Sequence, residues 1–137
     1  MTAEATIEGG CHCGAIRYSA AGPLTHQTLC HCSICRKVSG APAVAWVTVP
    51  AQGFQIVRGD PVVYRSSETG LRMFCGTCGS QLSFQGTDSP GEIDITTATL
   101  DDPGIAAPKD HTWTSSRLDW DVVQDGLPQF ANRRTTA

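Results

Sequence analysis

At 137 residues and a formal net charge of -3, the chain is long enough for one domain that buries roughly two-thirds of the surface of its unfolded chain. An acidic chain with no basic run is a poor electrostatic match for nucleic acid. The longest apolar stretch, Ala41 to Val49, carries Pro42 and Thr48 and is too short to span a membrane.

In chain order, Met1 to Glu8 shows no basic start and no apolar stretch, so no export signal is expected and a reducing cytoplasm is the expected compartment. The cluster Cys11-His12-Cys13 follows; on an extended strand its two sulfurs would share one face. Tyr18 to Ala21 reads as a strand. A second cluster, Cys30-His31-Cys32-Ser33-Ile34-Cys35, runs into the one helical turn the sequence predicts, Ser33 to Val38, started by serine and stopped by Ser39-Gly40. Val44 to Val49 is β-branched and aromatic, Phe54 to Arg58 alternates before a Gly59-Asp60-Pro61 turn, and Val62 to Arg65 and Leu71 to Phe74 continue the series. The third cluster, Cys75-Gly76-Thr77-Cys78, closes a tight turn helped by Gly76 and Gly79, and Gln81 to Phe84 and Glu92 to Thr96 complete the strands. The pattern predicts an all-β domain covering residues 1–137, built of about seven to nine short antiparallel strands with frayed ends and no repeat.

Seven cysteines in three tight clusters admit two explanations. A disulfide framework would suit a secreted chain, but no export signal is read here, Cys-x-Cys pairs are awkward for wide-spanning bridges, and an odd thiol would be left over. Thiolates converging on a soft divalent metal account for the spacing. Four thiolates close a tetrahedral structural zinc site and three leave a coordination position open, so seven divides into one closed and one open zinc, two ions per chain.

The words Gly10-Cys11-His12-Cys13-Gly14-Ala15-Ile16-Arg17-Tyr18, Cys30-His31-Cys32-Ser33-Ile34-Cys35-Arg36-Lys37-Val38-Ser39-Gly40-Ala41 and Phe74-Cys75-Gly76-Thr77-Cys78-Gly79-Ser80 resemble the glutathione-dependent formaldehyde-activating enzymes, a family grouped with centromere protein V. His111-Thr112-Trp113 and Asp125 to Phe130 resemble its closing segment, so the likeness runs from about residue 7 to about residue 130. It implies a zinc-bearing β-tent fold and carbon-sulfur lyase activity. It also implies a structural zinc on Cys11, Cys13, Cys75 and Cys78 and a catalytic zinc on Cys30, Cys32 and Cys35. Spacing agrees, because the triad closes within one short segment while Cys75 and Cys78 need two distant partners. A competing set would join Cys30 and Cys32 to Cys75 and Cys78, leaving Cys11, Cys13 and Cys35 to be gathered over a longer stretch.

The chemistry of an open three-thiolate zinc favours holding a thiol over activating water, since the cluster carries about one net negative charge. A thiolate held there could attack a small aldehyde or leave a hemithioacetal, which fits formation or cleavage of S-hydroxymethylglutathione. The expected partners are therefore a glutathione-like small-molecule thiol and a small aldehyde. Glutathione carries two carboxylates, for which Arg36 and Lys37 are the leading cations and Arg65, Arg72, Lys109 and Arg117 further candidates. Trp46 is a candidate wall of the reactive pocket and His111 a candidate substrate contact, while His12 and His31 are read as facing away from the metals and His26 has no supporting context. The alternative is a non-catalytic zinc-binding interaction module of the same fold.

Overall fold

The computed structural model describes residues 6–135, so the outermost residues, where the sequence predicts fraying, lie outside the described part. Ten strands follow in order: β1 (Thr6–Gly10), β2 (Arg17–Ala21), β3 (Thr25–Cys30), β4 (Val44–Pro50), β5 (Phe54–Arg58), β6 (Val62–Arg65), β7 (Gly70–Phe74), β8 (Gln81–Gly86), β9 (Glu92–Thr96) and β10 (Asp110–Thr112). One α-helix, α1 (Ser33–Ser39), and four short 3-10 turns are the other regular elements among the described residues. The fold is thus all-β with one short helix, as the sequence predicts, but ten strands exceed the expected seven to nine, and β1, β3 and β10 are the ones the sequence does not single out. The helix begins at Ser33 as expected and runs one residue further, to Ser39: Cys32 is its N-cap, its sulfur accepting from the Cys35 N–H at 3.2 Å, and Gly40 caps the other end at φ 69°.

Two sheets form. The smaller has the order β1-β2-β5 and the larger the order β10-β3-β4-β9-β8-β7-β6. Every pairing is antiparallel except β10 with β3, which is parallel and follows a long crossover. That pair departs from the purely antiparallel expectation, because a segment far along the chain returns to cover the free edge of β3.

Register decides which side chains meet. Met73, Ser83, Ile95 and Val47 stand opposite one another across the larger sheet, and three of them join Val49, Ile93 and Leu82 in a core closed from the other side by Ile7, Tyr18, Ala20, Phe54 and Ile56 of the smaller sheet. Burying this apolar surface between two sheets is the main driving force for the fold. The next row, Arg72, Phe84, Asp94 and Thr48, therefore projects to the opposite face. A second, smaller cluster of Cys30, Cys35, Val44 and Trp46, with Phe84 and Cys32 against it, forms on that face. Among the described residues no helix is long and apolar enough to cross a membrane.

Candidate functional site

The strand pairings bring the seven cysteines into two groups. Cys11 and Cys13 occupy the loop between β1 and β2, and Cys75 and Cys78 the loop between β7 and β8, so two hairpin tips from different sheets meet. Their four sulfurs lie within 4.8 Å of one another, with 3.6 Å between the Cys11 and Cys13 sulfurs and 3.8 Å between those of Cys13 and Cys75. A zinc–sulfur bond of about 2.3 Å gives a tetrahedron with edges of about 3.8 Å, so the spacing fits a closed four-sulfur site. Cys11 to Cys13 is a turn, not the strand expected, and sulfur convergence comes from loop geometry; Gly79 takes φ 82° there, whereas Gly76 needs no left-handed backbone.

Backbone N–H groups point at these sulfurs. Ile16 donates to Cys11 at 3.2 Å, and Thr77 and Cys78 donate to Cys75 at 3.4 and 3.5 Å. Hydrogen bonds from the Ser80 hydroxyl and backbone hold the Cys78 thiol down at about 5. An Ala15 N–H favours the Cys13 thiolate, but desolvation and the neighbouring sulfurs outweigh it and push that thiol up to about 11. Four thiols this close cannot all ionise without a cation between them. The donor set and spacing thus fit a soft divalent metal such as zinc.

The second group is Cys30, Cys32 and Cys35, again within 4.8 Å of one another. Cys30 ends β3 and faces the same side as Thr28 and Trp46, while Cys32 and Cys35 sit at the start of α1. Cys30 and Cys35 are buried and Cys32 is half-buried. Side-chain hydrogen bonds from Cys30 and Cys35, joined by the Cys35 and Ile34 N–H groups, pull the Cys32 thiol down to about 2, while Cys32, Cys35 and burial push the Cys30 thiol up. One thiolate forms readily and the next is resisted, a conflict that a divalent cation removes. No fourth cysteine, histidine or carboxylate joins this group among the described residues, so its donor set is open.

The triad lies in an open cleft of about 1440 Å³ on the face of the larger sheet turned away from the core. Trp46 and Phe84 form an apolar floor, with ring centroids 6.4 Å apart and planes inclined at 67°, edge to face. Thr48, Asp94, Asp110 and Thr112 add polar lining, and Lys109, Arg133 and Arg134 supply cations at the far side. Arg134 forms a two-pronged pair with Asp110. Burial disfavours the Asp110 charge, but the bonds from Arg134 and Thr28 outweigh it and hold that carboxyl below its usual range.

A family model described as "Glutathione-dependent formaldehyde-activating enzyme" matches residues 6–116, which include all seven cysteines. The chain belongs to this family. A relative from Halomonas elongata, described as "Putative glutathione-dependent formaldehyde-activating enzyme", is 34% identical over 84 residues, covering 56% of this chain and 54% of its own. The chain therefore aligns with about half the length of that curated relative. A solved protein from Rhodobacter sphaeroides shares the fold at a TM-score of 0.58 and 23% identity, over 90% of this chain and 98% of its own.

Within this family member, the residues singled out from sequence separate. Trp46 lines the cleft. Arg36 and Lys37 do not: Cys32 and Cys35, three residues apart, share the helix face over the cleft, Lys37 projects to solvent, and the half-buried Arg36 has its Nε enclosed without a partner. His111 is also off the lining, since its strand neighbours Asp110 and Thr112 face the cleft and alternation turns His111 the other way. There it is fully buried, with Nδ1 2.9 Å from His31 Nε2 and Nε2 2.8 Å from Asp125 Oδ2. Burial, then the nearby His111, pushes the His31 imidazolium toward its neutral form. His12 is exposed, and neither it nor His31 joins a sulfur cluster. His26 is exposed and contacts Arg134.

The sequence did not single out Phe84, nor Arg72 beyond its place among further cations. Arg72 is buried, and its Nη2 donates to the Cys35 sulfur at 3.6 Å. The signal for it was strand alternation: Leu71-Arg72-Met73-Phe74 puts Arg72 on the face opposite Met73, which is the cleft face once the sheet order is known.

Proposed function

We propose that this chain is a zinc-dependent carbon-sulfur lyase-type enzyme that forms or cleaves the adduct of a small thiol and a small aldehyde, with glutathione and formaldehyde as the leading pair. Family membership supports the substrate class. The observation that carries the reading is the contrast between two cysteine groups: four sulfurs enclosed between hairpin tips, and three with an open donor set in a cleft. In this reading Cys11, Cys13, Cys75 and Cys78 hold a structural zinc, and Cys30, Cys32 and Cys35 hold a catalytic one. A zinc ion held by Cys30, Cys32 and Cys35 would supply Lewis acidity that favours loss of a substrate thiol's proton.

The protein's own residues then bind and orient. Trp46 and Phe84 offer an apolar surface against the methylene next to the reacting sulfur, excluding water on that side. The exposed Lys109 and Arg133 take the carboxylate-binding role first given to Arg36 and Lys37, because they line the cleft. In the synthetic direction the substrate sulfur forms a bond to the aldehyde carbon, the carbonyl π bond opens, and the thiol's proton ends on the new hydroxyl oxygen. Cleavage is the reverse, with that proton returned to sulfur. Seven unpaired thiols suit a reducing compartment, and we assign the chain to the cytoplasm on that ground.

Two-dimensional exchange NMR on glutathione and formaldehyde, with and without the metal-loaded protein, tests the assignment. The expected result is faster interconversion of free and hydroxymethylated glutathione. An unchanged exchange rate at full metal loading would transfer the assignment to another thiol or to a binding module.

A further inference from the structure

Arg72 on β7 is a buried cation with no carboxylate at ion-pair distance among the described residues. Its residue exposure is 5%, and none of the ion pairs among the described residues includes it. The guanidinium donates from Nε to Ser66 Oγ and from Nη1 to Gln81 Oε1, both at 2.9 Å, and from Nη2 to Cys35 Sγ at 3.6 Å. Its carbon lies 5.0 Å from the Phe84 ring centre and 5.8 Å from that of Trp46. Asp94, further along the same cross-strand row, bonds Thr48 Oγ1 at 2.6 Å instead; burial pushes its carboxyl toward the neutral form and outweighs the opposing pull of the more distant Arg72 charge.

A hydroxyl, an amide and two ring faces solvate a guanidinium but do not neutralise it, and an uncompensated charge at such burial is costly. The remaining direct contact, the Cys35 sulfur, offers the nearest anion. Cys35 belongs to the three-sulfur group, and three thiolates around a divalent ion leave one net negative charge. One buried positive charge balances it.

We propose that Arg72 is the built-in counter-cation of the Cys30, Cys32 and Cys35 site, a positioning residue that sets how tightly the three thiolates hold a divalent metal. This rests on the metal reading of that triad. An arriving thiolate then meets a cluster whose charge is already offset, so the same arginine also favours an anionic fourth ligand over a neutral one. Lys109 and Arg133, being exposed, cannot do this as effectively, since water screens their charge.

The test compares the parent with Arg72→Met, which keeps an apolar stem against Phe84, and Arg72→Lys, which keeps the charge. Zinc is titrated against a competing chelator under reducing conditions, and the four-sulfur site serves as internal control. Arg72→Met is expected to weaken the second zinc about 10-fold to 100-fold while leaving the first unchanged, and Arg72→Lys to recover most of the loss. With cobalt(II) in place of zinc, the thiolate-to-metal absorption gained on adding 2-mercaptoethanol should fall in Arg72→Met and return in Arg72→Lys. Two zinc ions held by Arg72→Met as tightly as by the parent would overturn the proposal alone. A parent that holds a single zinc would overturn both the proposal and the metal reading beneath it. If Arg72→Met does not fold, it is remade with Cys30→Ser, Cys32→Ser and Cys35→Ser, which removes the anionic charge. Recovery of a cooperative melt supports the proposal, and continued failure to fold assigns Arg72 to packing and refutes it.

Discussion

Replacing Cys78 by serine removes one of four sulfurs joining the loop after β1 to the loop after β7, and in the proposed scheme it strikes the metal that ties these two tips of the sheets together. Apart from those sulfurs, the direct polar tie seen between the two tips is the His12 N–H donating to Ser80 Oγ at 3.0 Å, which is exposed and worth about 1 kcal/mol. A closed zinc site contributes on the order of 10 kcal/mol to folding, against a total stability of about 5–15 kcal/mol for a domain. Losing even a third of that contribution costs about 3 kcal/mol and lowers Tm on the order of 10 °C. Losing all of it leaves the chain unfolded. Circular dichroism melts of zinc-loaded parent and Cys78→Ser, with metal counted on both, provide the assay. A Tm within about 3 °C of the parent with both zinc ions retained would refute the structural assignment of this site.

Cys32→Ser is expected to stay folded with a cooperative melt, because serine can replace Cys32 as N-cap of α1 and bond the Cys35 N–H, while thiol–aldehyde exchange and one zinc are lost. Metal analysis under reducing conditions should find two zinc ions per chain, with the cleft ion removed first by a chelator and the melt nearly unchanged at that point; simultaneous release of both would contradict the closed and open assignment. Asp110→Asn should cost about 2 kcal/mol near neutral pH by removing the pair with Arg134. Because the folded carboxyl of Asp110 lies below its usual range, that stability is present above the ordinary carboxylate pKa of about 3.9 and is lost as pH falls through the lower folded value. The gap between parent and variant in urea titrations should therefore be constant from neutral pH to about pH 5 and close below about pH 4. A gap that widens on acidification would show the sign to be wrong.

The cysteine groups were legible because each is local in sequence, and the seven apolar strands were legible because β-branched and aromatic residues alternate between turn residues. The strands that escaped have other causes of order. In β1, Gly9 and Gly10 read as loop residues, yet a Cβ on Gly9 would sit 2.4 Å from the Tyr18 hydroxyl, so the close approach of strand to core demands glycine there. β3 has Leu29 as its lone aliphatic residue and carries an irregularity between Thr25 and Thr28, which erases the period-two signal. β10 is three buried polar residues whose order comes from parallel pairing with β3, from the His111–His31 contact and from Asp110–Arg134, none of them local. Cleft geometry was hidden for the same reason. Arg36 and Lys37 adjoin the triad in sequence, but Arg72, 37 residues from Cys35, adjoins it in space.

That difference explains how one chain could keep the proposed reactive metal site exposed without endangering its fold. The proposed structural site takes two sulfurs from each of two hairpins on separate sheets, so its metal closes a long loop and its binding energy is folding energy. The triad draws all three sulfurs from the end of β3 and the first turn of α1, a segment already fixed by β4 on one side and by the Cys32 and Gly40 caps on the other. Metal there crosslinks almost nothing new, so ligand exchange in the cleft costs little stability. The charge of that metal site is the one property the local segment cannot supply for itself. In the proposed scheme it is met across the sheet, where β7 and β8 hold a largely buried guanidinium against Phe84.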